Sequence, residues 1–294
     1  MSRRAWMRPE TAIALALIVA VSVAANIRRV HAARDGEMRL IFYGYENGRP
    51  RTAAAVIDGT RLSNVTNLAF LHAGGEISPN GREIAFDTCS KTDRAIKTAR
   101  LDGSHVKHVV RLSGTSCVGP RWSRDGTRLS YPDPTDFQLH IVQLDTGVDI
   151  ALQYTSPAFG WHSWSPKSDQ IVYETGRGGT RRIDIIDLAT WRTRQLVGPR
   201  QFGACEAWAP DWSPTSDRIA FTWCDQKLYV VNVNGTGLTP IAESAYAPRW
   251  SIDGKSLLFL RGTALLRISA DGGRAQQVGI LPYYGGPFSI GPIQ

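Results

Sequence analysis

Between residues 39 and 290 the apolar positions come in short runs rich in Val, Ile, Leu and aromatic residues, broken by Asn-Gly, Asp-Gly and Ser-Pro pairs. No stretch there sustains the three-to-four spacing of an amphipathic helix, so the pattern predicts strands joined by tight turns. One unit is nearly repeated: PRWSRDGTRLSY at 120–131 and PRWSIDGKSLLF at 248–259. Three more copies follow the same plan: GEISPNGREIAF at 75–86, HSWSPKSDQIVY at 162–173 and PDWSPTSDRIAF at 210–221. Each has a serine (Ser78, Ser123, Ser165, Ser213, Ser251) preceded by a large apolar residue (Ile77, Trp122, Trp164, Trp212, Trp250). An aromatic residue stands eight positions after each serine: Phe86, Tyr131, Tyr173, Phe221 and Phe259. The serines are 45, 42, 48 and 38 residues apart. A period near 40 residues with strand character predicts the blades of a β-propeller.

Within a copy, the segment before the serine reads as one strand. Asn80-Gly81, Asp125-Gly126 and Asp253-Gly254 supply the turn, and the apolar run after it reads as a second strand. Two further strands per repeat complete a four-stranded antiparallel blade. The chain ends complement each other. RLIFYGYENG at 39–48 reads as a second strand, and GGPFSIGP at 285–292 as a first strand without a partner. Pairing them closes a sixth blade and removes two open sheet edges. The expected fold is therefore all-β, a six-bladed propeller over residues 36–294. In this alignment Ser289 continues the serine series and Phe288 the apolar one.

The first 35 residues have a different composition. Arg3, Arg4 and Arg8 precede a 17-residue uncharged run, TAIALALIVAVSVAANI at 11–27, and Arg28 and Arg29 follow it. A basic start and an apolar run predict an export signal, either cleaved after small residues or retained as a membrane anchor. The protein is then expected in the periplasm, outside the cell, or held on the outer side of the cytoplasmic membrane. Net charge is +8, but residues beyond 35 carry only half of it and form no basic cluster, which argues against nucleic-acid binding. Cys89, Cys117, Cys205 and Cys224 have no CxxC spacing, so zinc has no support. The repeat puts all four at one face of the ring. A Cys205–Cys224 bond would staple one blade and a Cys89–Cys117 bond would bridge two neighbours, as suits an oxidising compartment.

SPNGREIAF, SRDGTRLSY and PDWSPTSDRIAF resemble the repeats of TolB-type propellers, which also occur in prolyl oligopeptidase-like peptidases. The resemblance spans about residues 39–290. It implies the propeller fold and leaves function open: no G-x-S-x-G elbow is present, and only a few residues separate the apolar segment from the first strand.

P-loop, GxGxxG and HExxH motifs are absent, so no cofactor and no metal site is expected. Asp184, alternating with Ile183 and Ile185, is expected on a solvated strand face. One set of positions stands out. The residue two before each serine alternates with the buried apolar one, and reads Glu76, Arg121, Ser163, Asp211, Arg249 and, at the sixth blade, Pro287. Near the start of the innermost strand these side chains would rim the channel mouth, with His162 beside them. Glu76, Arg121, His162, Asp211 and Arg249 are the candidate binding residues, suited to a charged peptide end or a small polar ligand. The same charges would equally serve to pair across the channel. Two functions compete. One is a monomeric, non-catalytic scaffold holding an envelope protein, peptide or glycan. The other is a lyase or hydrolase of polysaccharide or peptide working at the channel mouth. The scaffold is favoured because no nucleophile with its base, and no close carboxylate pair, can be assembled from the repeat.

Overall fold

The computed structural model describes residues 37–293, apart from 47–48, 59–60, 69–70, 72–74, 91, 115–116, 153–156, 177–180, 199–205 and 283. The expected export segment lies outside the described residues. Every described element is a strand. In chain order these are β1 (Met38–Glu46), β2 (Arg49–Asp58), β3 (Arg61–Asn67), β4 (Glu76–Ile77), β5 (Glu83–Asp87), β6 (Ala95–Arg100), β7 (Lys107–Arg111), β8 (Arg121–Trp122), β9 (Arg128–Pro132), β10 (Leu139–Gln143), β11 (Asp149–Leu152) and β12 (Pro157–Trp164). They continue as β13 (Gln170–Thr175), β14 (Arg182–Asp187), β15 (Thr193–Val197), β16 (Ala207–Trp212), β17 (Arg218–Trp223), β18 (Leu228–Asn232), β19 (Thr239–Ala242), β20 (Tyr246–Trp250), β21 (Ser256–Arg261), β22 (Ala264–Ser269), β23 (Gln276–Ile280) and β24 (Tyr284–Pro292).

The strands form six four-stranded antiparallel sheets. Blades 1 to 5 are β4–β7, β8–β11, β12–β15, β16–β19 and β20–β23; blade 6 has the order β24-β1-β2-β3. The expected six-bladed ring, closed by the two ends of the chain, is the observed one. Six separate apolar cores fill the seams, one between each pair of neighbouring blades, including blade 6 against both blade 5 and blade 1. The second strand of each blade is covered on both faces. Hence it reads as a nearly continuous apolar run, such as Ile219 to Trp223, interrupted only by Thr222 and all buried.

The repeated serine has a structural reason. In four of the five copies, those of Ser78, Ser123, Ser165 and Ser251, its hydroxyl donates to a turn residue and accepts the backbone N–H five positions on. Ser123 Oγ donates to Asp125 (2.6 Å) and accepts from Arg128 N (2.9 Å); Ser251 repeats this with Asp253 and Ser256. The turn glycines take φ near +70°, and at Gly254 a Cβ would lie 2.0 Å from Thr215 Oγ1 of the previous blade.

Blade 6 departs from the expected frame by two residues. Phe42 pairs with Phe288, whereas the equivalent aromatic Tyr173 pairs with His162, three before its serine. Ile290 therefore takes the place of the tryptophans, Ser289 the alternating place expected for Pro287, and Gly291 the serine's place. In this blade the first two strands come from opposite ends of the chain. There is no turn between them to stitch, so nothing requires a serine, and Ile77 leaves no room for a Cβ at Gly291 (2.4 Å).

Cys89 and Cys117 form a disulfide between the end of β5 and the loop entering β8, so it joins blades 1 and 2 as expected (Cα–Cα 5.3 Å). Cys205 lies outside the described residues, and with it the expected bond to Cys224. Asp184 is not on a solvated face: it is 5% exposed, accepts from Arg182 Nε at 2.9 and 3.1 Å, and burial pushes its carboxyl up.

Candidate functional site

Blades 3 to 6 have longer innermost strands than the sequence pattern suggested. In those blades the alternating residues Ser163, Asp211, Arg249 and Ser289 consequently lie toward the end of that strand and are buried, whereas Glu76 and Arg121 open the two-residue strands β4 and β8, as expected, and are half-buried. Each engages the following blade. Glu76 pairs with Arg121 between blades 1 and 2, and Asp211 with Arg249 between blades 4 and 5 at 3.0 Å, with both side chains of the latter pair under 8% exposed. Arg249 Nε also donates to Phe288 O of blade 6 (3.0 Å). The side chain at this position accepts the backbone N–H of the next blade's apolar residue: Trp250 N to Asp211 Oδ2 (2.8 Å), Trp212 N to Ser163 Oγ (3.1 Å) and Ile77 N to Ser289 Oγ (3.0 Å). The indole N–H of the next blade donates to the backbone carbonyl at the same position. Examples are Trp122 to Glu76 O, Trp164 to Arg121 O and Trp250 to Asp211 O, at 3.0–3.3 Å. These are latches between neighbouring blades. Among the described residues, the two ion pairs of this set join adjacent blades.

His162 is fully buried and shares Ser130 Oγ of blade 2 with the Trp164 indole, both at 2.8 Å. Burial pushes the Asp211 carboxyl up to about 6, against the pull of Arg124, Arg121 and the Trp250 N–H. The structure thus brings together the five candidate residues as support for the ring, in two ion pairs and one hydrogen-bonded histidine.

The centre of the ring is crossed by two side chains that the repeat does not reveal. Arg124 of blade 2 reaches past blade 3 to donate to Trp212 O of blade 4 (3.2 Å). Trp161 of blade 3 reaches past blade 4 to Tyr246 of blade 5, edge to face at 6.2 Å, and lies over the Arg249 guanidinium at 5.9 Å. A bulge puts Trp161 there: from the Pro157–Thr175 pair to the His162–Tyr173 pair, β12 advances five residues and β13 two. Blades 4 and 5 bulge at the same place, with Ala209 and Ala247 at φ +54° and +52°. Both read Ala-Pro there; blade 3 reads Trp161-His162. That departure is the sequence signal for Trp161. Trp161 and Tyr246 thus set two aromatic rings together beside the axis, with the Arg249 guanidinium against Trp161.

Glu174, on β13, is fully buried. Its Oε2 accepts from Ala209 N (3.3 Å) and supports the blade 4 bulge. Burial pushes its carboxyl up to about 7, with Arg181 opposing and Glu206 reinforcing. A second titratable group lies on blade 2. Burial alone would lower His140, but contacts to Asp149 and Asp136 outweigh it and raise the imidazole to about 9. The two carboxylates thus favour its protonated form. Among the described residues, one group gathers metal-binding atom types: Asp87, Cys89 and Cys117. Its two sulfurs are joined, and the carboxylate is occupied by Cys89 N, Val118 N and Arg94.

No protein-family model matches the chain. Over 166 residues it is 25% identical to a protein named TolB homolog from Chlorobium luteolum, a match covering 53% of this chain and 35% of that relative. The chain thus spans about a third of the length of the curated relative it matches. The crystal structure of TolB from Acinetobacter baumannii superimposes with a TM-score of 0.71 at 14% identity, over 93% of this chain and 71% of that one. An oligogalacturonate lyase solved with manganese superimposes with a TM-score of 0.55 at 16% identity, over 85% of this chain and 75% of that one. In fold and in the sequence of its repeats, this six-bladed β-propeller is similar to TolB.

Proposed function

We propose that the protein is a non-catalytic binding scaffold of the cell envelope, exported by residues 1–35 and active as a monomer. It holds an envelope protein, peptide or glycan at the channel mouth beside Trp161 and Tyr246. Glu76, Arg121, His162, Asp211 and Arg249 serve as the rigid floor of that mouth. One observation carries this reading. The charged residues are committed to inter-blade contacts, while Tyr246 stays 41% exposed next to a tryptophan that replaces the alanine of two sister blades. Rigid aromatic surface is what interface hot spots use. The resemblance to a TolB homolog supports the envelope setting.

The test is a double variant, Trp161→Ala with Tyr246→Ala. Alanine already occupies the first position in blades 4 and 5, so the bulge should persist. Partners crosslinked in envelope extracts by the wild type should be captured at least tenfold less, with the melting temperature shifted by only a few degrees. Equal capture would remove the mouth from the binding surface.

The likeness to an oligogalacturonate lyase keeps one enzymatic alternative. Incubation with oligogalacturonate and manganese, followed by the ultraviolet absorbance of unsaturated products, separates the two readings. No product above a heat-killed control is expected, and product that disappears in Trp161→Ala would replace the scaffold by a lyase.

A further inference from the structure

A cavity of about 320 Å³ lies at the seam of blades 2 and 3, on the outer side of the ring. It is formed by β10, the outermost strand β11 and the turn before it, together with the turn after β14. Ile141, Val148, Ile150, Leu152, Leu188 and Trp191 supply its apolar wall. Three of these, Val148, Ile150 and Trp191, are about half exposed. They converge on this one concavity, where scattered exposed apolar residues would need no explanation.

Trp191 adds a separate observation. It sits at φ +59° in a turn where its N–H bonds Asp187 O; in blade 2 the same turn position, bonded to Gln143 O, is Gly147 at φ +71°. A bulky residue in the left-handed region costs conformational energy that glycine does not. Here the strained residue is also a half-exposed indole, so folding gains little from it. A ligand seated in the concavity would cover the indole.

The charged lining group is Arg128. Its plane stacks on Trp164 at 4.9 Å, and Nη2 donates to Asp125 and to Ser168 O. Among the described residues nothing accepts from its Nη1 or Nε. An apolar cavity with one partly committed guanidinium fits a single apolar chain ending in an anion. The volume is near the lower end of the range for small-molecule sites, about 300–1,000 Å³. We infer that the cavity between blades 2 and 3 binds a free single-chain amphiphile with a carboxylate head, its tail against Ile150, Leu152 and Trp191 and its head at Arg128. The site lies on the outer strands, away from the channel, and does not rest on the function proposed above.

Calorimetric titration of the whole protein with decanoate and with decyltrimethylammonium tests this, because the tails match and the head charges are opposite. Decanoate should bind with a Kd below about 1 mM and at least tenfold more tightly than the cation. Ile150→Asp puts a like charge on the wall at an exposed position, and should weaken decanoate at least tenfold without changing the melting temperature. Arg128→Gln should abolish the preference for the anion; should it unfold the protein, the opposite-charge probe and Ile150→Asp still decide. The inference fails if decanoate shows no saturable binding below about 1 mM. It fails equally if both amphiphiles bind alike, or if Ile150→Asp binds decanoate as the wild type does.

Discussion

Asp211 and Arg249 tie three blades of the ring together. Between them they join blades 4, 5 and 6 through an ion pair and hydrogen bonds to Trp250 N and Phe288 O. Removing one partner leaves the other charge buried without compensation, so Asp211→Ala should lower unfolding stability by about 3–5 kcal/mol in a denaturant titration. The tryptophans offer a finer comparison. Trp250→Phe loses an N–H donated to Asp211 O, whereas the Trp212 indole N–H has no partner among the described residues. Trp250→Phe should therefore cost about 1 kcal/mol more than Trp212→Phe; equal costs would dissolve the latch. Glu174 makes a pH prediction. Its folded carboxyl is raised to about 7 from an ordinary 4.5, so the folded state holds the proton more tightly than the unfolded one. That stabilisation is complete below about pH 4.5 and is lost as pH rises through about 7. Glu174→Gln keeps the acceptor for Ala209 N without the charge. It should match the wild type at about pH 4 and exceed it by roughly 1–3 kcal/mol at about pH 8. A variant no more stable than the wild type at the higher pH would contradict the assignment. Spacing alone located these alternating residues. It did not reveal their partners, since those contacts join blades about one repeat apart and depend on how the blades turn against each other.

At the scale of the strand, the first strand of each blade holds what the repeat shows and what it conceals. In blades 1 to 5 the serine, the large apolar residue before it and the turn recur because they close one hairpin and fill one seam. The bulges four residues before the serine are irregular, and there Ala209, Ala247 and Trp161 differ in what they send toward the axis. Periodicity treats such differences as noise, which is why Trp161 and Arg124 were not anticipated as axial side chains. The misplacement of Ser289 has the same origin: a serine was matched by type in a strand whose position has no turn to stabilise. Cysteine placement was readable because strand ends alternate between the two faces of the ring, and this sufficed to pair Cys89 with Cys117. Reducing that bond opens a 28-residue loop and should cost about 3–4 kcal/mol on the chain-entropy account. Peptide mapping without reductant should also find Cys205 joined to Cys224; a free Cys224 thiol would confine the stapling to blades 1 and 2.

For the whole molecule, the fold was readable and the mouth was not. Six seams with the same chemistry impose a period on the chain, so architecture is written many times over. A binding surface is written once, in the places where the period breaks. The central claim is that the ring is a closed, mutually latched body, rigid enough to present its axial aromatics in one arrangement. Closure rests on β24 pairing with β1 and on Ser289 receiving Ile77 N from blade 1. The most direct measurement is equilibrium denaturation of the chain lacking residues 284–294, compared with the full chain. Loss of that strand exposes the edge of β1 and removes Phe288 from the core shared with blade 5. The account predicts a large fall in the denaturation midpoint, with a broadened transition as the seams on either side of blade 6 open first. A truncated chain that unfolds in a single transition at the same midpoint and slope as the full one would contradict it.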